Sequence, residues 1–179
     1  LDMKQVFISA GHGGGDPGCV ANGHKEADLT LYLRDRVAAI LRGKLVHVVT
    51  DGREGVNKPL RDAVEMAKRN EGPSIELHFN AAGNLGASGV EVLANPELKP
   101  LAKELAWEIS RVLQSPLRGQ MGWLKPSEGQ HHRLAFCEAG GLIVEVCFMT
   151  NSAELNKYLF NDENVAEAIA GVLARAVNT

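Results

Sequence analysis

Ser9-Ala10-Gly11-His12-Gly13-Gly14-Gly15-Asp16-Pro17-Gly18 follows directly on the apolar run Val6-Phe7-Ile8, and this junction decides the fold. A short apolar run broken by a glycine-rich turn reads as a buried strand that ends in a crevice, the place where α/β proteins put their chemistry. Working outward, strand-like runs at residues 5–9, 45–50, 75–79, 89–93 and 142–147 are separated mostly by helix-period runs at 26–42, 59–70, 96–114, 152–159 and 162–177. That alternation predicts the α/β class, with one domain over residues 1–179. Leu29, Leu33, Val37, Ile40 and Leu41 share one face of the first helix, while Arg34, Asp35 and Arg42 fall elsewhere, so the apolar face is expected to pack on the sheet. Asn151 or Ser152 suits a helix cap, and Pro59 and Pro96 suit a first helical turn. Between 115 and 139 the period is lost, and a long irregular segment at the rim of the site is expected, carrying the polar cluster Gln130-His131-His132-Arg133.

Composition narrows the function. A formal charge of -3 over 179 residues gives no basic footprint for nucleic acid. No apolar stretch approaches the roughly 20 residues of a membrane span, so the chain reads as soluble. Its start, Leu1-Asp2-Met3-Lys4-Gln5, lacks the pattern of a secretory signal; Met3 reads as the native start and Leu1-Asp2 as a remnant ahead of it. Three cysteines, Cys19, Cys137 and Cys147, are not spaced as a disulfide or zinc framework.

Four polar side chains stand where strands end or a helix begins. His12 lies in the glycine-rich turn, where the glycines at 11, 13, 14 and 15 are expected to clear space around the imidazole for a metal and a ligand. His78 lies in Ser74-Ile75-Glu76-Leu77-His78-Phe79-Asn80-Ala81, whose alternation puts Glu76, His78 and Asn80 on one side. Two imidazoles converging on one crevice are expected for a metal and unusual for packing. Glu26 opens the first helix; a first-turn acid complementing the helix dipole is an equal alternative, and His24 is a rival ligand. Glu145 sits inside the apolar run Ile143-Val144-Glu145-Val146-Cys147, and a buried carboxylate needs either a partner such as Arg61 or Arg133, or a catalytic job.

These residues carry a resemblance. The chain resembles the zinc-dependent N-acetylmuramoyl-L-alanine amidases of the amidase-3 type over nearly its whole length. The matching pieces are Gly11-His12-Gly13-Gly14-Gly15-Asp16-Pro17-Gly18, Glu26 heading a helix, Leu77-His78-Phe79-Asn80-Ala81, Ser88-Gly89-Val90-Glu91-Val92, and Ile143 through Asn151 with Glu154 after it. The resemblance implies a twisted, mostly parallel sheet of about six strands between helices on both faces, a phosphorylase/hydrolase-like three-layer domain. It also implies a Zn2+ ion held by His12, Glu26 and His78, in preference to His24, with Glu145 as catalytic acid/base. The implied reaction is hydrolysis of the amide joining N-acetylmuramic acid to L-alanine in bacterial peptidoglycan. Asn80, Arg61 and Asn151 are candidate substrate contacts, as are His131, His132 and Arg133 for acidic stem-peptide groups.

One departure is that many members follow the second strand with Thr-Arg, whereas Thr50 is followed here by Asp51-Gly52-Arg53. A minimal catalytic domain of this kind looks like a bacteriolytic phage endolysin, made in the host cytoplasm and acting at the wall or in the periplasm as a monomer. A bacterial autolysin domain and a zinc peptidase of related fold are the alternatives, followed by a non-catalytic wall-binding module. Peptidoglycan is the expected partner, with neither nucleic acid nor membrane.

Overall fold

The computed structural model describes residues 5–129 and 134–178. In chain order the elements are β1 (Val6–Ala10), a small hairpin of β2 (Val20–Ala21) and β3 (His24–Lys25), α1 (Glu26–Gly43), β4 (Val48–Thr50), α2 (Leu60–Arg69), β5 (Ser74–Asn80), β6 (Glu91–Leu93), α3 (Lys99–Leu113), β7 (Trp123–Leu124), α4 (Leu134–Glu138), β8 (Leu142–Phe148) and α5 (Ser152–Val177). The main sheet has six strands in the order β4-β1-β5-β8-β6-β7. Every pairing is parallel except β6 with β8.

The two faces of the sheet carry different helices. Leu33, Val37 and Leu41 of α1 are fully buried in a large apolar cluster with Ile8, Ile75, Leu77 and Val144, to which α3 and α5 add Leu105, Ile109, Ile169 and Leu173. Each such side chain stabilises the fold by roughly 1.5–3 kcal/mol. A smaller cluster on the other face joins Phe7 and Ile143 to Ala63, Val64 and Ala67 of α2 and to Phe136 of α4. From β1 the chain passes to β4 on one flank, then returns to β5 on the other. The carboxyl ends of β1 and β5 therefore meet at the point where the winding reverses, and a crevice opens there.

Three expectations need correction. Arg34, read as lying off the buried face of α1, is fully buried: it donates to Asp51 at 2.8 Å, to Asp35, and to the carbonyls of Val56 and Arg53. Its off-face position in the apolar pattern is real, but a carboxylate waits for it on the adjoining loop. The runs at 152–159 and 162–177 are borne out as two helical stretches of α5 that meet at a kink at Asn161, where φ is -123° and ψ is 18°. Strand β4 starts only at Val48, because Leu45 has a φ of 61° in the turn after α1. The stretch 115–139 is not irregular throughout: it supplies β7, a 3-10 turn at Pro126–Glu128 and α4. Trp123 is buried there with its indole N–H on Ala94 O at 2.8 Å, as are Phe136 and Cys137. These elements are too short to show a period. His131, His132 and Arg133 lie outside the described residues.

Candidate metal centre

His12, Glu26 and His78 come together at the crevice. One potential ligand atom from each lies within 4.8 Å of the others, and the two rings meet edge to face with centroids 5.1 Å apart. His12 is delivered by the turn after β1 with a φ of 67°, a conformation few non-glycine residues adopt. Three contacts fix it there. Gly13 and Asp16 exchange backbone hydrogen bonds, the Asn57 side-chain amide donates to the carbonyls of Ala10 and His12, and Thr30 of α1 donates to Gly11 O at 2.7 Å. Asn57 is itself held by the loop that Arg34 and Asp51 anchor, since Asp51 also accepts from the amides of Ala10 and Lys58.

Only some of the glycines make room. A Cβ at Gly11 would stand 1.9 Å from the His78 ring, and one at Gly18 would stand 2.7 Å from both Glu26 Oε2 and the His12 ring. Gly14 and Gly15 have nothing within 4 Å, so the expectation that they clear space around the imidazole is overturned. Their φ angles of 63° and 101° explain them as turn residues.

Glu26 is 4% exposed, and both its oxygens are engaged. Oε2 takes Cys19 N at 3.0 Å and faces His12 Nε2 at 3.0 Å; Oε1 takes Phe79 N at 3.1 Å and faces His78 Nδ1 at 3.1 Å. Burial pushes this carboxyl up, but the hydrogen bonds from His12 and His78 outweigh it and hold it well below the usual carboxylate range. His24 sits on the β2–β3 hairpin and is not in the cluster.

The outer nitrogen of each ring also meets a carboxylate. His12 Nδ1 is 2.8 Å from Asp16, which also accepts Gly18 N, so Asp16 both braces the ring and makes the turn. His78 Nε2 is 2.6 Å from Glu76, a residue 2% exposed that also accepts from Ser9 Oγ at 3.4 Å. Sequence reading missed this role of Glu76, though its alternation with His78 was the available signal. With both nitrogens of each ring facing carboxylate oxygens, a neutral imidazole leaves one lone pair pointing at another. A cation at the inner nitrogens removes that conflict, and outer carboxylates that orient imidazoles are the usual surroundings of a metal-bound histidine. Three carboxylates around two imidazoles thus fit a divalent metal.

Glu145 of β8 is 4% exposed and stands in register with His78 on β5. On its other side it stands in register with Glu91 on β6. Of the other expected contacts, Asn80 donates to Glu91 at 2.6 Å, Asn151 caps α5 by accepting from the amides of Ala153 and Glu154, and Arg61 lies exposed on α2. A cavity of about 290 Å³ opens over the centre, lined by Ser9, His12, Lys58, Glu76 and His78 among others. The thiols are not candidates for attack. Burial, then Glu26, pushes Cys19 up; burial takes Cys137 up to about 12 and Cys147 far above its usual value.

A family model described as N-acetylmuramoyl-L-alanine amidase, of the amidase-3 type, matches residues 6–179. The chain belongs to this amidase family. A structure reported as an N-acetylmuramoyl-L-alanine amidase candidate from Neisseria meningitidis is 36% identical, with a TM-score of 0.89, covering 98% of this chain and 96% of that one. The amidase AmiC2 of Nostoc punctiforme is 28% identical, with a TM-score of 0.81, covering 98% and 97%. The uncharacterized protein YqiI of Bacillus subtilis is 28% identical over 159 residues, 88% of this amidase chain and 76% of the relative. Among the described residues of the amidase, no helix is long and apolar enough to cross a membrane.

Proposed function

We propose that this amidase cuts the bond between N-acetylmuramic acid and L-alanine in peptidoglycan with a zinc ion held by His12, Glu26 and His78, and with Glu145 as acid/base. The observation that carries the reading is the convergence of those three side chains beside Glu145, with a carboxylate behind each imidazole. Zinc, when bound, polarises the scissile carbonyl and makes water acidic enough to lose a proton near neutral pH. Glu145 takes the proton of the attacking water and passes it to the departing alanine nitrogen. Asp16 and Glu76 hold the rings in the tautomers that turn His12 Nε2 and His78 Nδ1 inward. No side chain forms a covalent bond to substrate, in keeping with thiols that stay protonated. The buried walls around Glu76, His78 and Glu145 strengthen these electrostatic contacts by keeping bulk water away.

The test is mass spectrometry of products released from purified peptidoglycan. Stem peptides with a free L-alanine amino terminus are expected from the zinc-loaded protein and not after chelation. Glu145→Gln is expected to lower the rate by about 10²- to 10⁴-fold while retaining zinc. Cleavage between two amino acids would instead assign a peptidase, and wild-type rates from Glu145→Gln would remove its role.

A further inference from the structure

The sheet carries a second polar device beside Glu145 that neither the metal centre nor the proton transfer uses. Glu91, 3% exposed, lies one strand over and directly in register with Glu145; side chains of such a pair share a face of the sheet. One oxygen of Glu91 takes the Asn80 amide at 2.6 Å, and the other takes Arg118 Nε at 2.9 Å. Arg118 is further held by Nη1 on Ser88 O at 3.3 Å and by its guanidinium lying 4.8 Å from the Phe148 ring centroid. Phe148 can serve because β5 and β8 slip register between His78 and Asn80. His78 faces Glu145 but Asn80 faces Phe148, so β8 carries one extra residue here. Without that bulge, Phe148, three residues on from Glu145, would point to the opposite face.

The side chain of Arg118 nevertheless keeps 36% of its surface exposed, against 5% for that of Glu91. Its Nη2 has no hydrogen-bond partner among the described residues. The open side borders a cavity of about 390 Å³ shared with Ser88, Glu91 and Pro116. An arginine that served only to neutralise Glu91 would need none of this. Three restraints on one guanidinium, with one nitrogen left over beside a cavity, make a preorganised anion receptor. The surroundings favour one kind of anion. Glu26, Glu76, Glu91 and Glu145 crowd this end of the sheet, so a substrate bearing carboxylates is repelled unless a cation meets them.

We infer that Arg118 binds a free carboxylate of the stem peptide, on the residue that follows L-alanine. The carboxylate of that residue lies up to about two residue lengths, roughly 7 Å, from the scissile nitrogen, while Glu91 stands a single strand spacing of about 4.8 Å from Glu145. The inference rests on the amidase reading, because it takes Glu145 to mark the position of the scissile bond. Arg118 touches no reacting atom; it fixes specificity, holding ground state and transition state alike, so its effect falls on KM more than on kcat.

Two soluble muramoyl dipeptides test it, identical except that the second residue carries a free carboxylate in one and a carboxamide in the other. The wild-type protein is expected to prefer the carboxylate by about 10- to 100-fold in kcat/KM, chiefly through KM. Arg118→Gln, which can still donate to Glu91, is expected to collapse that ratio towards one. Arg118→Lys is expected to keep part of it. Equal use of both substrates by the wild type overturns the inference and leaves the amidase reading intact, as does a loss in Arg118→Gln that falls equally on both. Cleavage of neither at the muramoyl–alanine bond removes the amidase reading, and the subsite with it. The wild-type comparison alone decides the question should the variants fold poorly.

Discussion

At the scale of single residues, the centre depends on carboxylates that no ligand motif names. Glu76 is buried and Asp16 is exposed, yet both brace a ring of the same centre. Partners of ligating histidines typically change metal affinity by about 10- to 100-fold. Glu76→Gln is therefore expected near the upper end of that range and Asp16→Asn near the lower, because solvent screens the exposed pair; competition with a chromophoric chelator reads both. Glu26 gives a pH prediction for the metal-free protein. Its folded pKa lies below the unfolded carboxylate value, so its contribution is complete above about pH 4.3 and fades as pH falls through the range below. The stability difference between the wild type and Glu26→Gln, from denaturant titrations, should shrink as pH drops from 5 towards 2. A difference that grew on acidification would contradict the assigned direction. His12 and His78 were legible as a pair, because two imidazoles at the ends of strands that converge on one crevice are expected for a metal and unusual for packing. Glu91 and Arg118 were not, since their contacts exist only once neighbouring strands are in register, and Glu76 was missed although its alternation with His78 within one strand was there to read.

Among elements, the loop between β4 and α2 is the one whose sequence misleads. Asp51 stands where an arginine was looked for, and the arginine comes instead from the middle of α1. Arg34 and Asp51 are both fully buried, and burial pushes the Asp51 carboxyl up further than Arg34 and two backbone amides draw it down. Removing one member leaves the other charge stranded, which costs about 3–5 kcal/mol. Arg34→Met is expected to lower the melting temperature by on the order of 10 °C and, through Asn57, to loosen the turn that holds His12. Arg34→Met with Asp51→Leu should recover much of the stability while leaving zinc binding weakened, because the amides of Ala10 and Lys58 lose their acceptor. Calorimetry with a zinc titration separates the two effects. The long helices and the buried strands were readable from their period. The two-residue strand β7 and the five-residue helix α4 were not, being too short for either period to repeat clearly.

For the molecule as a whole, a metal held by His12, Glu26 and His78 as proposed would tie together the first turn, α1 and the centre of the sheet, and loading it should stabilise the entire domain. At zinc a hundredfold above its dissociation constant the gain is about 2.7 kcal/mol, and a rise in melting temperature of roughly 5–10 °C is expected. An unchanged melting curve after chelation would speak against a resident metal. The α/β class followed from the alternation of runs and the mostly parallel sheet from the family resemblance; the place of each strand in the sheet did not, because strand order is set by which apolar faces meet and not by sequence proximity. That order has a bearing on synthesis. β8 comes late in the chain yet lies inside the sheet, between β5 and β6. A nascent polypeptide that has not yet released residues 142–148 from the ribosome holds two bare strand edges with a gap between them, and it has no Glu145. On the proposed role of Glu145, hydrolytic power arrives in a single late step of translation, and a product terminated before it is expected to be inert towards the wall and prone to edge-to-edge aggregation.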